Sequence, residues 1–185
     1  MPTIRLKDVL ISILFTLLIW AGAWVSVPLE PVPLTFQTVA ILLVALVLPM
    51  QYALFSVVLY IGLGVTGVPV FSNGRSGMDV ITGPTGGFII GFIITAAVVS
   101  YFTKSLRYNV QGKSLWAVYG RAFWPCLIGS IILQVCGVIW GKIYTGSPWN
   151  LMYDQWVHPF YLNMMIKIII SVVIAVKIWR TTSKV

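Results

Sequence analysis

Six apolar runs set the limits on what this chain can fold into: residues 9–27, 35–48, 51–65, 86–103, 119–143 and 159–179. In hydrocarbon every backbone N–H and C=O must be satisfied within the protein. A helix crossing a core of about 30 Å needs roughly 20 residues, and the first, fourth, fifth and sixth runs have that reach. The chain is 59% hydrophobic and only 9% charged, with a mean hydropathy of +0.97, far from the composition of a soluble domain. The expected fold is all-α and integral to the membrane, one membrane domain over residues 1–185. The second and third runs are short. They read as tilted or partly buried spans joined at Pro49, or as a re-entrant pair, and either choice preserves the parity of the later crossings.

Arg5 and Lys7 precede an apolar run that ends near Ala21-Gly22-Ala23, a pattern shared with secretory signals. The apolar character continues to Val27, so the segment is taken as a retained first helix. The net charge is +8, a balance that on a soluble chain points to nucleic acid. Six crossings from a cytoplasmic N-terminus explain it differently. Arg5, Lys7, Lys104, Arg107, Lys113, Arg121, Lys177, Arg180 and Lys184 then face the cytoplasm, against Arg75 and Lys142 outside. Such a bias is the positive-inside rule, and both termini are expected in the cytoplasm. The two cysteines, Cys126 and Cys136, are about 15 Å apart on one helix, too far to bridge.

Enzymatic chemistry finds no footing. Gly112-Lys113-Ser114 resembles the end of a phosphate-binding loop, but Arg107 stands where that motif requires glycine. No acid lies inside an apolar run to relay protons, and no nucleophile–histidine pair or metal-ligand cluster is evident. The chain reads as a binder or conductor without cofactors, and any energy from ATP must come from another chain.

The connections expected outside are rich in proline, glycine and aromatics, and irregular backbone at a membrane protein's edge often lines a cavity. The first, Pro28 to Thr38, is stiffened by Pro28, Pro31 and Pro33; Thr35 is placed to cap the next helix, which presents Phe36 and Gln37. The second, Gly67 to Gly87, is about twenty residues without a clear regular element, and Val70, Phe71, Val80 and Ile81 mark it as a packed lid. Gly86 and Gly87 open the fourth helix, where free N–H groups favour an anion. The same glycines fit close helix packing, because Gly87-x-x-x-Gly91 and Gly137-x-x-x-Gly141 match the small-residue contact pattern.

Lys167 is the anomaly. A lysine at bilayer depth usually faces a cavity, a partner charge or a ligand, and this one lies about 12 Å below the start of the sixth run. Its stem can also snorkel, although Lys177 is better placed for that. Asn163, four residues earlier, shares its helix face. With no intramembrane acid to pair with, Lys167 has a ligand carboxylate as an attractive partner.

The segments Pro31-Val-Pro-Leu-Thr-Phe-Gln37, Gly67-Val-Pro-Val-Phe71, Gly83-Pro-Thr-Gly-Gly87 and Pro159-Phe160 to Lys167, in this order across six apolar helices, resemble the BioY family. Those proteins are biotin-specific substrate-binding (S) components of energy-coupling factor transporters. The resemblance implies a six-transmembrane-helix S-component bundle in a prokaryotic cytoplasmic membrane, capturing biotin near the outer face. Transport would require a transmembrane coupling subunit and two ABC-type ATPases. It further implies that Lys167, Asn163, Gln37 and Asp79 supply polar contacts, that Phe36, Trp140 and Tyr144 supply apolar walls beside Gly86 and Gly87, and that Ser12 and Thr16 on the first helix face the coupling subunit. The family commonly carries an acid where this chain has Met164, so another acceptor is needed: Asn163, Gln37 or, preferably, Asp79. Which end of biotin meets Lys167 stays open, charge favouring the carboxylate and deep placement of the ring the reverse. Two other readings compete: an anion-selective channel or carrier with Lys167 in its pore, and a structural subunit whose Lys167 pairs with an acid on a neighbour.

Overall fold

The computed structural model describes residues 6–182; Arg5, Lys184 and both termini lie outside the described residues. Helices α1 (Leu6–Trp24), α2 (Gln37–Val47), α3 (Met50–Val65), α5 (Gly86–Tyr108), α6 (Leu115–Thr145) and α8 (Tyr161–Thr182) correspond to the six apolar runs. Two short helices, α4 (Met78–Thr82) and α7 (Trp149–Met152), lie in connections read from sequence as irregular. Four stretches are long and apolar enough to cross a membrane, whereas α2 and α3 are shorter.

The centre of the fold is α2, flanked by α1, α3, α5, α6 and α8. Gln37 and every residue from Val39 to Leu46 are buried, so this helix is wrapped in protein. At 11 residues it is about 16 Å long and ends inside the molecule, where its last carbonyls need donors. The donors come from side chains. Arg107 Nε donates to Leu46 O at 3.0 Å and Nη2 to Ala45 O at 3.0 Å. Trp179 Nε1 also reaches Leu46 O (3.2 Å), and Ser100 Oγ reaches Leu48 O (3.0 Å). Arg107, expected as a loop cation, is thus a buried helix cap, because α5 runs on to Tyr108 and carries it inward.

Glycines set the seam between α5 and α6. A Cβ on Gly87 would lie 2.3 Å from Trp140 Cβ, and one on Gly137 would enter the Phe88 ring. On α1 the buried positions Ser12, Thr16, Ile19 and Ala23 form one stripe, and Leu10, Ile13, Leu14, Leu17 and Leu18 are exposed. Ser56 of α3 closes this contact: its Oγ donates to Ser12 O (2.9 Å), and its carbonyl accepts from Thr16 Oγ1 (3.1 Å). The residues expected to face a coupling subunit are therefore spent on intramolecular packing.

The first connection folds into a small antiparallel pair, β1 (Ser26–Val27) with β2 (Leu34–Thr35), Ser26 opposite Thr35. Thr35 does not cap α2; it is held in this ladder, and Phe36 occupies the cap position without a side-chain bond. The second connection packs as expected, with Val70 and Phe71 buried, and α4 follows Gly77, whose φ of 91° suits glycine. Between α6 and α8 the chain is helical almost throughout, because Pro148 and Pro159 occupy helix starts where proline is tolerated.

Candidate ligand cavity

A cavity with about 780 Å³ of empty space, including its mouth, lies where the N-terminal end of α2 meets α5, α6 and α8 beneath the second connection. Phe71, Phe88, Ile89, Phe92, Leu133 and Phe160 supply much of its apolar wall. Asn163 and Lys167 enter from α8, Gln37 and Thr38 from α2, and Ser130 and Gln134 from α6.

Lys167 is 7% exposed. Among the described residues no hydrogen bond or ion pair satisfies its ammonium. None of the four acids, Asp8, Glu30, Asp79 and Asp154, lines the cavity, and the first turn of α2 adds the positive end of a helix dipole. The cavity is thus biased toward a ligand oxygen bearing full or partial negative charge. Burying an ammonium without a partner is expensive, and a ligand that enters can offset that cost.

Gln37 lines the same cavity but is largely committed. Thr35 Oγ1 donates to its Oε1 at 3.1 Å, its Nε2 donates to the Tyr60 hydroxyl, and that hydroxyl donates to Val70 O at 3.1 Å. This directional chain ties the start of α2 to the second connection. It leaves Gln37 one N–H and one lone pair.

Several expected contacts lie elsewhere. Asp79 is exposed on α4 because Val80 takes the buried side of that short helix. Phe36 is 45% and Tyr144 57% exposed, and neither lines the cavity. Trp140 donates from Nε1 to Gly83 O at 2.9 Å, pinning the second connection to α6. Gly86 and Gly87 are packing positions: a Cβ on Gly86 would strike Ile81 O, so α4 covers the helix start that was expected to attract an anion.

Sequence reasoning missed Ser130 and Gln134. The signal was present, since both interrupt the apolar fifth run and a spacing of four places them on one face. A second, mostly apolar crevice shares Gln134, Phe160 and Met164 with the cavity, so Met164 belongs to a partition between the two and contributes an apolar contact to each.

The sequence profile of the BioY family matches residues 1–184. The "Biotin transporter BioY2" of Lactococcus lactis subsp. cremoris is 32% identical over 158 residues, covering 85% of this chain and 82% of that protein. The "Biotin transporter BioY" of Thermotoga maritima is 34% identical over 165 residues, covering 89% and 91%. A crystal structure of the S-component for biotin from an ECF-type ABC transporter superposes with a TM-score of 0.83 at 25% identity, covering 94% of this chain and 91% of that one. With a matching fold and a family profile spanning nearly every residue, the chain belongs to the BioY family.

Proposed function

We propose that this protein captures biotin as the S component of an energy-coupling factor transporter. It is a binder and not an enzyme. The observation that carries the reading is Lys167: an ammonium buried in a largely apolar cavity, without a partner among the described residues, in a chain whose relatives are named biotin transporters. Biotin combines an apolar body with a ureido ring and a carboxylate, which suits a cavity of aromatic walls and a few placed polar groups. Lys167 donates to a ligand oxygen, Asn163 one turn above it adds a second polar contact, and Gln37 contributes its remaining capacity. The walls fall to Phe71, Phe88, Phe92 and Phe160 in place of Phe36, Trp140 and Tyr144, and Asp79, Gly86 and Gly87 act from the cavity's surroundings.

The same reading assigns one membrane domain of six crossings in a prokaryotic cytoplasmic membrane, both termini inside, with α2 and α3 making short crossings. A transmembrane coupling subunit and two ABC-type ATPases supply the transport step. With Ser12 and Thr16 buried against α3, any docking through α1 uses its exposed leucine and isoleucine face. The test is calorimetric titration of ligand-stripped protein with biotin, with thiamine and riboflavin as controls. One-to-one binding of biotin alone is expected; binding of a control with equal affinity, or of none by folded protein, contradicts the assignment.

A further inference from the structure

The cavity contains an unsatisfied group that Lys167 does not explain. Ser130 Oγ, in a residue 3% exposed, is the one side-chain oxygen among the described residues that is withdrawn from solvent with no hydrogen bond. Buried helical hydroxyls elsewhere in this chain do find partners. Those of Ser12, Thr16, Ser56, Thr103 and Ser171 all donate to the carbonyl four residues earlier. Leaving such a group bare costs stability, and Ser130 is a lining residue of the cavity, with its Oγ just beneath the wall so that a side-chain turn brings it to the ligand.

Gln134 lies one turn further along the same face of α6. Its Nε2 donates to Trp156 O. A carbonyl can only accept, so this bond fixes which end of the amide is nitrogen, and no donor among the described residues reaches Oε1. The side chain is held by a residue outside the ligand path, and its amide oxygen lies on a wall that the cavity shares with the second crevice. Ser130 and Gln134 thus form an oxygen-bearing pair in a cavity that no carboxylate lines. A cavity supplied with an ammonium but no anion still needs acceptors if its ligand carries N–H groups.

We propose that Ser130 and Gln134 form the subsite for the ureido ring of the ligand, Gln134 Oε1 accepting a ring N–H and the Ser130 hydroxyl completing the contact. This inference rests on the biotin reading, and the two fail in different ways. Ser130 lies at the cavity's deep end: Thr95 Oγ1 bonds the carbonyl of its neighbour Gly129 (2.9 Å), one turn below Phe92 of the lining. The ring therefore enters first, and the valeryl chain points to the mouth.

The experiment is titration of the full-length protein in detergent with biotin and with a ring N-methylated biotin, for the unsubstituted chain, Ser130→Ala and Gln134→Met, alongside thermal unfolding without ligand. Ser130→Ala is expected to bind biotin about tenfold more weakly. Its ligand-free unfolding temperature should be equal or higher, since the change removes an unsatisfied hydroxyl. Gln134→Met should lose about tenfold in its preference for biotin over the N-methylated ring. Unchanged biotin affinity in Ser130→Ala, or a lower ligand-free unfolding temperature that accounts for the loss, overturns the role of Ser130; an undiminished preference in Gln134→Met overturns that of Gln134. If Gln134→Met does not fold, the Ser130→Ala pair of measurements decides. Failure of the unsubstituted protein to bind biotin instead removes the reading on which the subsite rests.

Discussion

Arg107 and Lys167 are both buried cations, and their surroundings give them opposite roles. Arg107 spreads its donors over Ala45 O, Leu46 O and Ser100 Oγ, so its charge is solvated by the end of α2. Replacing it with leucine strands Ala45 O inside the protein and leaves Leu46 O to Trp179 alone, a loss of about 1–3 kcal/mol, measurable as a lower thermal unfolding temperature. Biotin affinity of the folded protein should stay within about twofold, because the clasp is at the other end of α2 from the cavity. The sequence distinguished the two only in part. Lys167 stood out because it interrupts an apolar run with Asn163 on its face, a local pattern. Arg107 sat beside Lys104 and Lys113 at the end of a run and looked like a topological charge; its partners are some sixty residues away. For the same reason Ser12 and Thr16 could not be told from a partner-facing pair, since only the tertiary position of Ser56 consumes them.

At the level of elements, the helices were legible because an apolar run in hydrocarbon has few alternatives, and the ends were less so because proline marks a helix start as readily as a loop. The glycines separate by what they face. Gly87→Ala forces a Cβ into Trp140 and Cys136 O at 2.3 and 2.4 Å and should destabilise by roughly 2 kcal/mol or more. Gly62→Ala in α3 meets nothing within 4 Å and should be neutral, or stabilising by up to about 1 kcal/mol through helix propensity. Thermal unfolding of the two variants side by side checks the contrast; equal effects would mean that the α5–α6 seam is looser than its geometry. Tyr60→Phe breaks the chain from Gln37 to Val70 and is expected to cost about 1–3 kcal/mol, with faster amide exchange in residues 67–77 as its specific signature.

Across the whole molecule, charge and architecture point the same way. Arg180 Nη2 bonds Lys113 O at 3.2 Å, which places the end of α8 beside the basic connection between α5 and α6. At the other end Ser26 meets Asn73 and Trp140 meets Gly83, near Arg75 and Lys142. Cysteine introduced at Arg75 should react with a membrane-impermeant maleimide in intact cells, and cysteine at Lys113 only after lysis; the reverse pattern would invert the topology. What the sequence could not supply was the convergence itself. The cavity exists because a short, fully wrapped helix brings its N-terminus between three longer ones, and apolar runs carry no information about which neighbours enclose them. The central claim is that Lys167 is held without a partner so that the ligand can become one. The measurement is a paired one on Lys167→Met: ligand-free thermal unfolding and calorimetric titration with biotin. Removing an unpaired buried charge should raise the unfolding temperature, while loss of a charged hydrogen bond weakens biotin binding by about 10- to 150-fold. A destabilised variant that binds biotin as tightly as before would contradict the account, because Lys167 would then be holding the fold and not the ligand.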